Sequence, residues 1–254
     1  MAGATIGLLH PGEMGAALGH ALRKRGHDVL WTSTGRSEAT ARRAAEADLR
    51  DVEVVEAIVS RSDVIFSVCP PHAARDVARS VAGTGAIFVD ANAIAPASAR
   101  TISAEMGSRF VDGGIIGPPP RRAGTTRLYL SGPGADTVAE LFDGTSVDAR
   151  PVSATVGDAS ALKMTYAAWT KGTAALLLAI RAVADAEGVE AELVDEWRIS
   201  LPELEEAWGR AARSAEAKGW RWIGEMEEIA ATFATAGLPD GFHRAAAEMF
   251  RRAG

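Results

Sequence analysis

Six short apolar runs, separated by stretches with helical spacing, fill the first two-thirds of the chain, and none recurs beyond residue 157. They are ATIGLL (4–9), DVLWTS (28–33), DVIFSV (63–68), AIFVD (86–90), RFVDGG (109–114) and RLYLSG (127–132). Several are continuous Val, Ile, Leu and Phe rather than alternating, which marks parallel strands covered on both faces. Between them lie amphipathic pieces such as EMGAALGHALRKRG, where Met14, Leu18, Ala21 and Leu22 share a face and Gly26 follows a basic last turn. Strands alternating with helices predict an α/β fold, a Rossmann-like doubly wound parallel sheet.

The pattern changes near residue 157. GDASALKMTYAAWTKGTAALLLAIRAVADAEG offers Asp158 as an N-cap, Gly188 as a stop and about thirty residues of helical periodicity between them. Everything beyond reads helical, with Pro202, Gly219, Gly237 and Pro239 expected to divide it into three or four helices. The expected organisation is a dinucleotide-binding domain over 1–157, then a long bridging helix opening a small all-α domain over 158–254 that serves substrate binding and dimerisation.

Composition narrows the function. A net charge of −6 without a block of Lys and Arg argues against nucleic acid or an anionic membrane as partner. Cys69 is the single cysteine, so no internal disulfide is expected. The longest apolar run, AALLLAI at 174–180, is far shorter than a membrane span, and no targeting segment is visible, so a cytoplasmic protein is expected. His10, His20, His27, His72 and His243 form no metal spacing with Cys69 or a carboxylate cluster, and no metal site is predicted.

The first strand runs into His10-Pro11-Gly12-Glu13-Met14-Gly15, which keeps the second and third glycines of GxGxxG and lacks the first. The second lets backbone touch a pyrophosphate and the third lets helix and strand pack closely; the first serves only turn geometry. The position after an apolar strand and before a helix supports a dinucleotide site formed by His10, Pro11, Gly12, Glu13 and Met14. About twenty residues on, TSTGRS (32–37) holds no acid for a ribose diol. Thr34, Ser37 and above all Arg36 suit a 2′-phosphate instead, so NADP is favoured over NAD.

Four spaced segments resemble the β-hydroxyacid dehydrogenase family, which includes 3-hydroxyisobutyrate, tartronate-semialdehyde and 6-phosphogluconate dehydrogenases. IGLLHPGEMGAALGHAL resembles its IGFIGLGNMGxPMAxNL opening. DVIFSVCPPHAARDVA resembles its fourth strand and following loop. VDANAIAPASARTI resembles VDxSTIxPxxxxxI, and GDASALKMTYAA its GxxxxxKxxNN helix. The tail is similar to a variant branch whose C-terminal domain has no known function. The resemblance implies hydride transfer between nicotinamide and a small polar metabolite, with Lys163 as acid/base. It implies that Cys69, Pro70 and Pro71 line the cofactor and that Asn92, in place of the family's serine, contacts nicotinamide or substrate.

Departures bear on the substrate. The family's paired asparagines fall on Tyr166 and Ala167, leaving Tyr166 either as a hydrogen-bonding or proton-relaying group or as a packing aromatic. The substrate-gripping serine falls on Ile116, where only the backbone amides of Ile116 and Gly117 remain for an oxyanion. Ser160, Lys163, Tyr166 and Thr170 fall on one helical stripe, so Thr170 is also expected to face substrate. Trp197, Trp208, Trp220 and Trp222 exceed what so short a tail buries alone, which predicts a homodimer, with Lys218, Arg221 or His243 able to reach substrate. Two alternatives remain on the residues: C=N reduction of the imine-reductase kind, and a cofactor-binding sensor or scaffold without turnover.

Overall fold

The computed structural model describes residues 3–253; Met1, Ala2 and Gly254, at the ends of the two expected domains, lie outside the described residues. The chain folds as two compact units, 1–163 and 164–254. The division falls inside the long helix.

In the first unit the strands are β1 (Thr5–Leu8), β2 (Asp28–Trp31), β3 (Arg50–Asp51), β4 (Val64–Ser67), β5 (Ile87–Asp90), β6 (Phe110–Ile116), β7 (Thr126–Ser131) and β8 (Val147–Ser153). The helices are α1 (Glu13–Lys24), α2 (Glu38–Glu46), α3 (Val55–Arg61), α4 (Ala74–Arg79), α5 (Pro96–Met106) and α6 (Ala135–Glu140), with α7 (Asp158–Ala186) beginning here. One sheet has the order β3-β2-β1-β4-β5-β6-β7-β8. The first six strands are parallel, β7 runs antiparallel to β6, and β8 is parallel to β7.

Side chains alternate across this sheet as the pleat requires. Phe66, Val89 and Val111 pack on one face with Leu18 and Leu22 of α1 and Val138 of α6. Their neighbours Ile65, Phe88 and Phe110 pack on the other with Ile58 of α3 and Ile102 of α5. Both faces being covered explains the continuous apolar runs. The expected doubly wound sheet is present, and two strands join those read from the sequence. Both lie at edges: β3 has two exposed residues, and β8 carries an Asp148–Arg150 ion pair and Pro151. Neither has the apolar signature of a covered strand.

The second unit contains the rest of α7, then α8 (Glu190–Ser200), α9 (Glu203–Thr235) and α10 (Gly241–Ala253). Gly219 does not break α9, which runs through it as one helix. An isolated glycine costs only about 1 kcal/mol in a helix, and this one is buried with the Phe250 carbonyl 3.7 Å from where a Cβ would stand. Trp222 meets Phe250 edge-on at 5.0 Å, and Arg181 of α7 stacks 4.0 Å from the Trp208 ring while pairing with Glu190. By length and composition α7 alone among the described helices could cross a membrane, with mean hydropathy 1.2. Its Lys171 and Arg181 are instead engaged by Glu225 and Glu190 of neighbouring helices.

Candidate cofactor and active site

In an open parallel sheet, ligands bind beyond the carboxyl ends of the strands where the order reverses. Here that point lies between β1 and β4, and the turn from β1 into α1 stands at it. Among the described non-glycine residues only Asp48 and Glu53 have positive φ. His10 therefore replaces the first glycine without strain. Gly12 is extended, with φ −67° and ψ −172°, and a Cβ there would meet nothing within 4 Å. What it supplies is room. At Gly15 a Cβ would stand 2.3 Å from the His10 carbonyl oxygen, so this glycine lets α1 close on the turn. No side chain caps α1, and an uncapped helix N-terminus beside open space suits a phosphate.

Cationic groups surround this turn. Arg36 donates to the Leu9 carbonyl at 3.2 Å, and its Nε is buried without a hydrogen-bond partner. Arg43 donates to the Pro11 carbonyl at 3.4 Å and to the Thr40 hydroxyl at 3.1 Å. Burial, reinforced by the Arg36 charge, lowers the His10 pKa to about 4, so the imidazole is neutral near neutral pH. Ser37 caps α2, its Oγ accepting from the Thr40 amide, while Thr34 is exposed in the loop between. The carboxylate at the end of β3 is Asp51, beside Trp31 in register. Burial pushes its pKa up, but hydrogen bonds from Ser33 and Glu53 outweigh this and hold it low, turned into the loop. A buried, unpartnered Arg36 Nε and an open Gly12 fit a phosphorylated dinucleotide.

The loop after β4 is tied to β5. Asn92 is buried; its Oδ1 accepts from the Cys69 amide and its Nδ2 donates to the Ser67 hydroxyl at 3.0 Å. These bonds turn its amide inward, as a brace between the two strand ends. Pro71 opens a short 3-10 turn after exposed Pro70, and Pro71 itself is partly buried. Burial raises the Cys69 thiol to about 11, which leaves it unreactive.

The start of α7 is fixed from β6. Asp112 lies fully buried in the sheet. One carboxylate oxygen accepts from the Gly157 and Ser160 amides at 3.1 and 2.9 Å and from the Ser131 hydroxyl; the other accepts the Ser160 hydroxyl at 2.6 Å. Burial raises its pKa, while these four donors oppose that rise. Asp112 thus holds the first amides of α7, whereas Asp158 accepts from the Ser153 hydroxyl at 2.6 Å. Two residues along β6, a Cβ on Gly114 would meet the Ala159 carbonyl at 2.7 Å and the Lys163 Cβ at 3.0 Å. The missing side chain lets the helix lie against the strand and sets Lys163, half-buried, beside it.

The remaining predicted residues divide between the units. In the first, Ile116 is buried with its backbone paired to β7, and Gly117 turns at φ +123° with the Thr125 carbonyl 2.2 Å from any added Cβ. Glu13 is exposed and Met14 partly buried on α1. In the second, Tyr166 is half-exposed and Thr170 bonds back to the Tyr166 and Ala167 carbonyls at 3.4 and 3.5 Å, consuming its proton. His243 is buried against Phe233, 4.2 Å between centroids. Ser160 points at Asp112 rather than along the polar stripe. The sequence reading missed Arg43, Thr40, Asp112 and Gly114. For Asp112 and Gly114 the one visible signal was an acid and paired glycines inside an apolar strand, RFVDGG; Thr40 and Arg43 had none.

Residues 5–94 match the family model described as NADP oxidoreductase, coenzyme F420-dependent, and residues 184–253 match a domain of unknown function, DUF1932. An uncharacterized 28.5 kDa protein of Methanothermus fervidus is 29% identical over 192 residues, 75% of this chain and 74% of its own. The conserved protein MTH1747, of unknown function and similar in structure to 3-hydroxyacid dehydrogenases, superposes with TM-score 0.72 at 27% identity over 98% of this chain and 96% of its own. Mycobacterium tuberculosis 3-hydroxyisobutyrate dehydrogenase does so at 0.73 and 16% identity, covering 98% and 93%. An imine reductase from Streptomyces aurantiacus shares the fold at 0.58 and 20% identity, covering 98% and 93%.

Proposed function

We propose that this chain, a β-hydroxyacid dehydrogenase-like protein in which an NADP-oxidoreductase domain precedes a DUF1932 domain, uses NADP(H) to interconvert a carbonyl and an alcohol on a small polar metabolite. Bound nicotinamide supplies or accepts the hydride. The turn at Gly12 and the first turn of α1 hold the pyrophosphate, and Arg36, with Arg43 behind it, takes the 2′-phosphate. Lys163 gives a proton to the substrate oxygen during reduction and removes it during oxidation. The observation that carries this reading is the rigid seat of Lys163: Asp112 anchors its helix through four hydrogen bonds and Gly114 admits it against β6.

Tyr166 adds a second hydroxyl three residues on, and a second copy of the chain covers the apolar face of the helical unit. Imine reduction is the second reading. It is favoured by buried, apolar Ile116, which offers no hydroxyl to grip a substrate carboxylate.

A panel of aldehydes, 2- and 3-oxo acids and cyclic imines followed by NADPH absorbance chooses between the two readings. Lys163→Ala should lower kcat by about 10²–10⁴-fold while NADPH affinity, read from nicotinamide fluorescence, stays within about twofold. Turnover that survives the substitution overturns the role given to Lys163.

A further inference from the structure

The first unit holds a second concavity that the cofactor turn does not share. A cavity of about 340 Å³ is lined by His20, Lys24, Arg25, Arg121, Thr145 and Ser146, with Ala21, Pro120 and Gly144 completing the wall. None of the lining residues is acidic. Arg23, in the same turn of α1, is paired with Asp48, but Lys24, Arg25 and Arg121 make no ion pair among the described residues. The His20 Nδ1 is buried without a hydrogen-bond partner. Lys24, Arg25 and Arg121 are exposed, and they set three cations on one concave surface with no acid beside them in a chain where acids outnumber bases 33 to 27.

The carboxyl end of α1 accounts for Lys24 and Arg25 individually, since helix C-termini favour cations. It does not account for Arg121, which comes from a different loop. That loop is held in place: Pro120 is buried and its carbonyl accepts from the Ser146 hydroxyl at 2.7 Å, the Pro118 carbonyl accepts from Thr126, and the Arg121 amide closes on Pro119 at 2.8 Å. The opposite wall turns at Gly144, φ +71°, a conformation that suits glycine. The charged rim is therefore mounted on fixed backbone.

We propose that this cavity binds a phosphate-bearing small molecule of charge −2 or more, separate from the nicotinamide cofactor. Two guanidinium forks and an ammonium match the oxygens of a phosphoryl group. A single carboxylate would leave two of the three charges uncompensated. The volume, in the range of small-molecule sites, exceeds what a phosphoryl group fills and leaves space for the rest of the ligand. Because α1 forms both the cofactor turn at its start and this wall at its end, one helix joins the two sites.

The test is calorimetric titration of the full chain with inorganic pyrophosphate, after saturation with NADPH so that the cofactor turn is filled. One saturable site is expected, with citrate binding more weakly. Lys24→Glu with Arg121→Glu should weaken pyrophosphate by about tenfold or more, whereas Arg122→Glu, an exposed neighbour outside the lining, should leave it within about twofold. The same titration on Arg36→Ala separates this site from the cofactor reading: the component abolished by Lys24→Glu with Arg121→Glu should keep its affinity there, even if NADPH fails to bind and the emptied cofactor turn adds a second pyrophosphate site. No saturable heat, insensitivity to the double substitution, or equal losses in Arg122→Glu would each overturn the proposal, the last by showing a diffuse surface field.

Discussion

The two units handle apolar surface differently. Among large hydrophobic side chains in the first unit, three are notably exposed: Val54, Val152 and Leu162. The second unit is little more than half as long and exposes eleven, with Trp169 at 72%, Ile199 at 80% and Val183 at 62%. The first unit is closed: sheet faces covered by helices, polar interior groups such as Asp112 and Asn92 satisfied within it. The second leaves Trp169, Leu176, Ile180 and Val183 of α7 exposed, with Ile199 and Trp220 on the helices that follow. The first unit satisfies its interior groups such as Asp112 and Asn92 within itself, whereas the helical unit keeps large apolar side chains at its surface.

The largest effect is expected at Asp112. Removing a buried carboxylate that accepts four hydrogen bonds leaves two hydroxyls and two helix-terminal amides without partners. Asp112→Ala should cost about 3–5 kcal/mol in denaturant unfolding. Amide exchange should rise first over Gly157–Ala161, the segment whose amides it holds. Asp112→Asn, which keeps an acceptor, should cost less. A substitution that leaves stability unchanged would mean that the closed unit is not held by its polar interior.

Next comes the exposed face of the second unit. Wild-type protein should sediment as a dimer, and Trp169→Glu should raise its dissociation constant by about thirtyfold or more, the scale of an aromatic anchor at an interface. A chain that stays monomeric at every concentration would show that the exposed apolar side chains of the second unit form no interface between copies. Arg36→Ala then separates the units' tasks. It should weaken NADPH by about 10- to 100-fold, leave NADH within about twofold and leave self-association untouched.

How much of this was legible in the sequence follows from what each residue must satisfy. Continuous apolar runs gave away the six covered strands, because burial on both faces demands them. β3 and β8 carried no such demand: both lie at edges and β8 holds a charge pair and a proline. The turn at Gly12 could be read because Gly15 meets a fixed steric need, a Cβ there standing 2.3 Å from the His10 carbonyl oxygen. Asp112 could not, since its partners Ser131 and Ser160 stand 19 and 48 residues away. Asp158, the first residue of α7, drew the N-cap reading instead. Arg43 was hidden on a helix whose polar composition reads as solvated, and Gly219 misled because a glycine marks a helix end only where nothing packs against it.

The smallest effect compares two imidazoles, half-buried His10 in the first unit and buried His243 in the second. His10 is lowered to about 4 by burial and by the Arg36 charge. His243 is lowered by burial, but Asp240 pulls it back up. In both, the folded state keeps the ring neutral and the unfolded chain takes up a proton once the pH drops below the ordinary value of 6.5. The stability each provides is therefore whole above about pH 6.5 and lost on acidification; for His10 the loss continues down to about pH 4. Because a cation deepens one shift and an acid limits the other, the first unit should be the more acid-sensitive of the two. Ring-proton NMR should find the His10 midpoint near 4, moving upward in Arg36→Ala as the repelling charge is removed. His10→Gln should flatten the acid limb of the stability curve, leaving the part due to His27 and His243, which burial also lowers. A His10 midpoint at its ordinary value would mean that the turn is open to water, and the closed character assigned to the first unit would fail at the one place where its cofactor must enter.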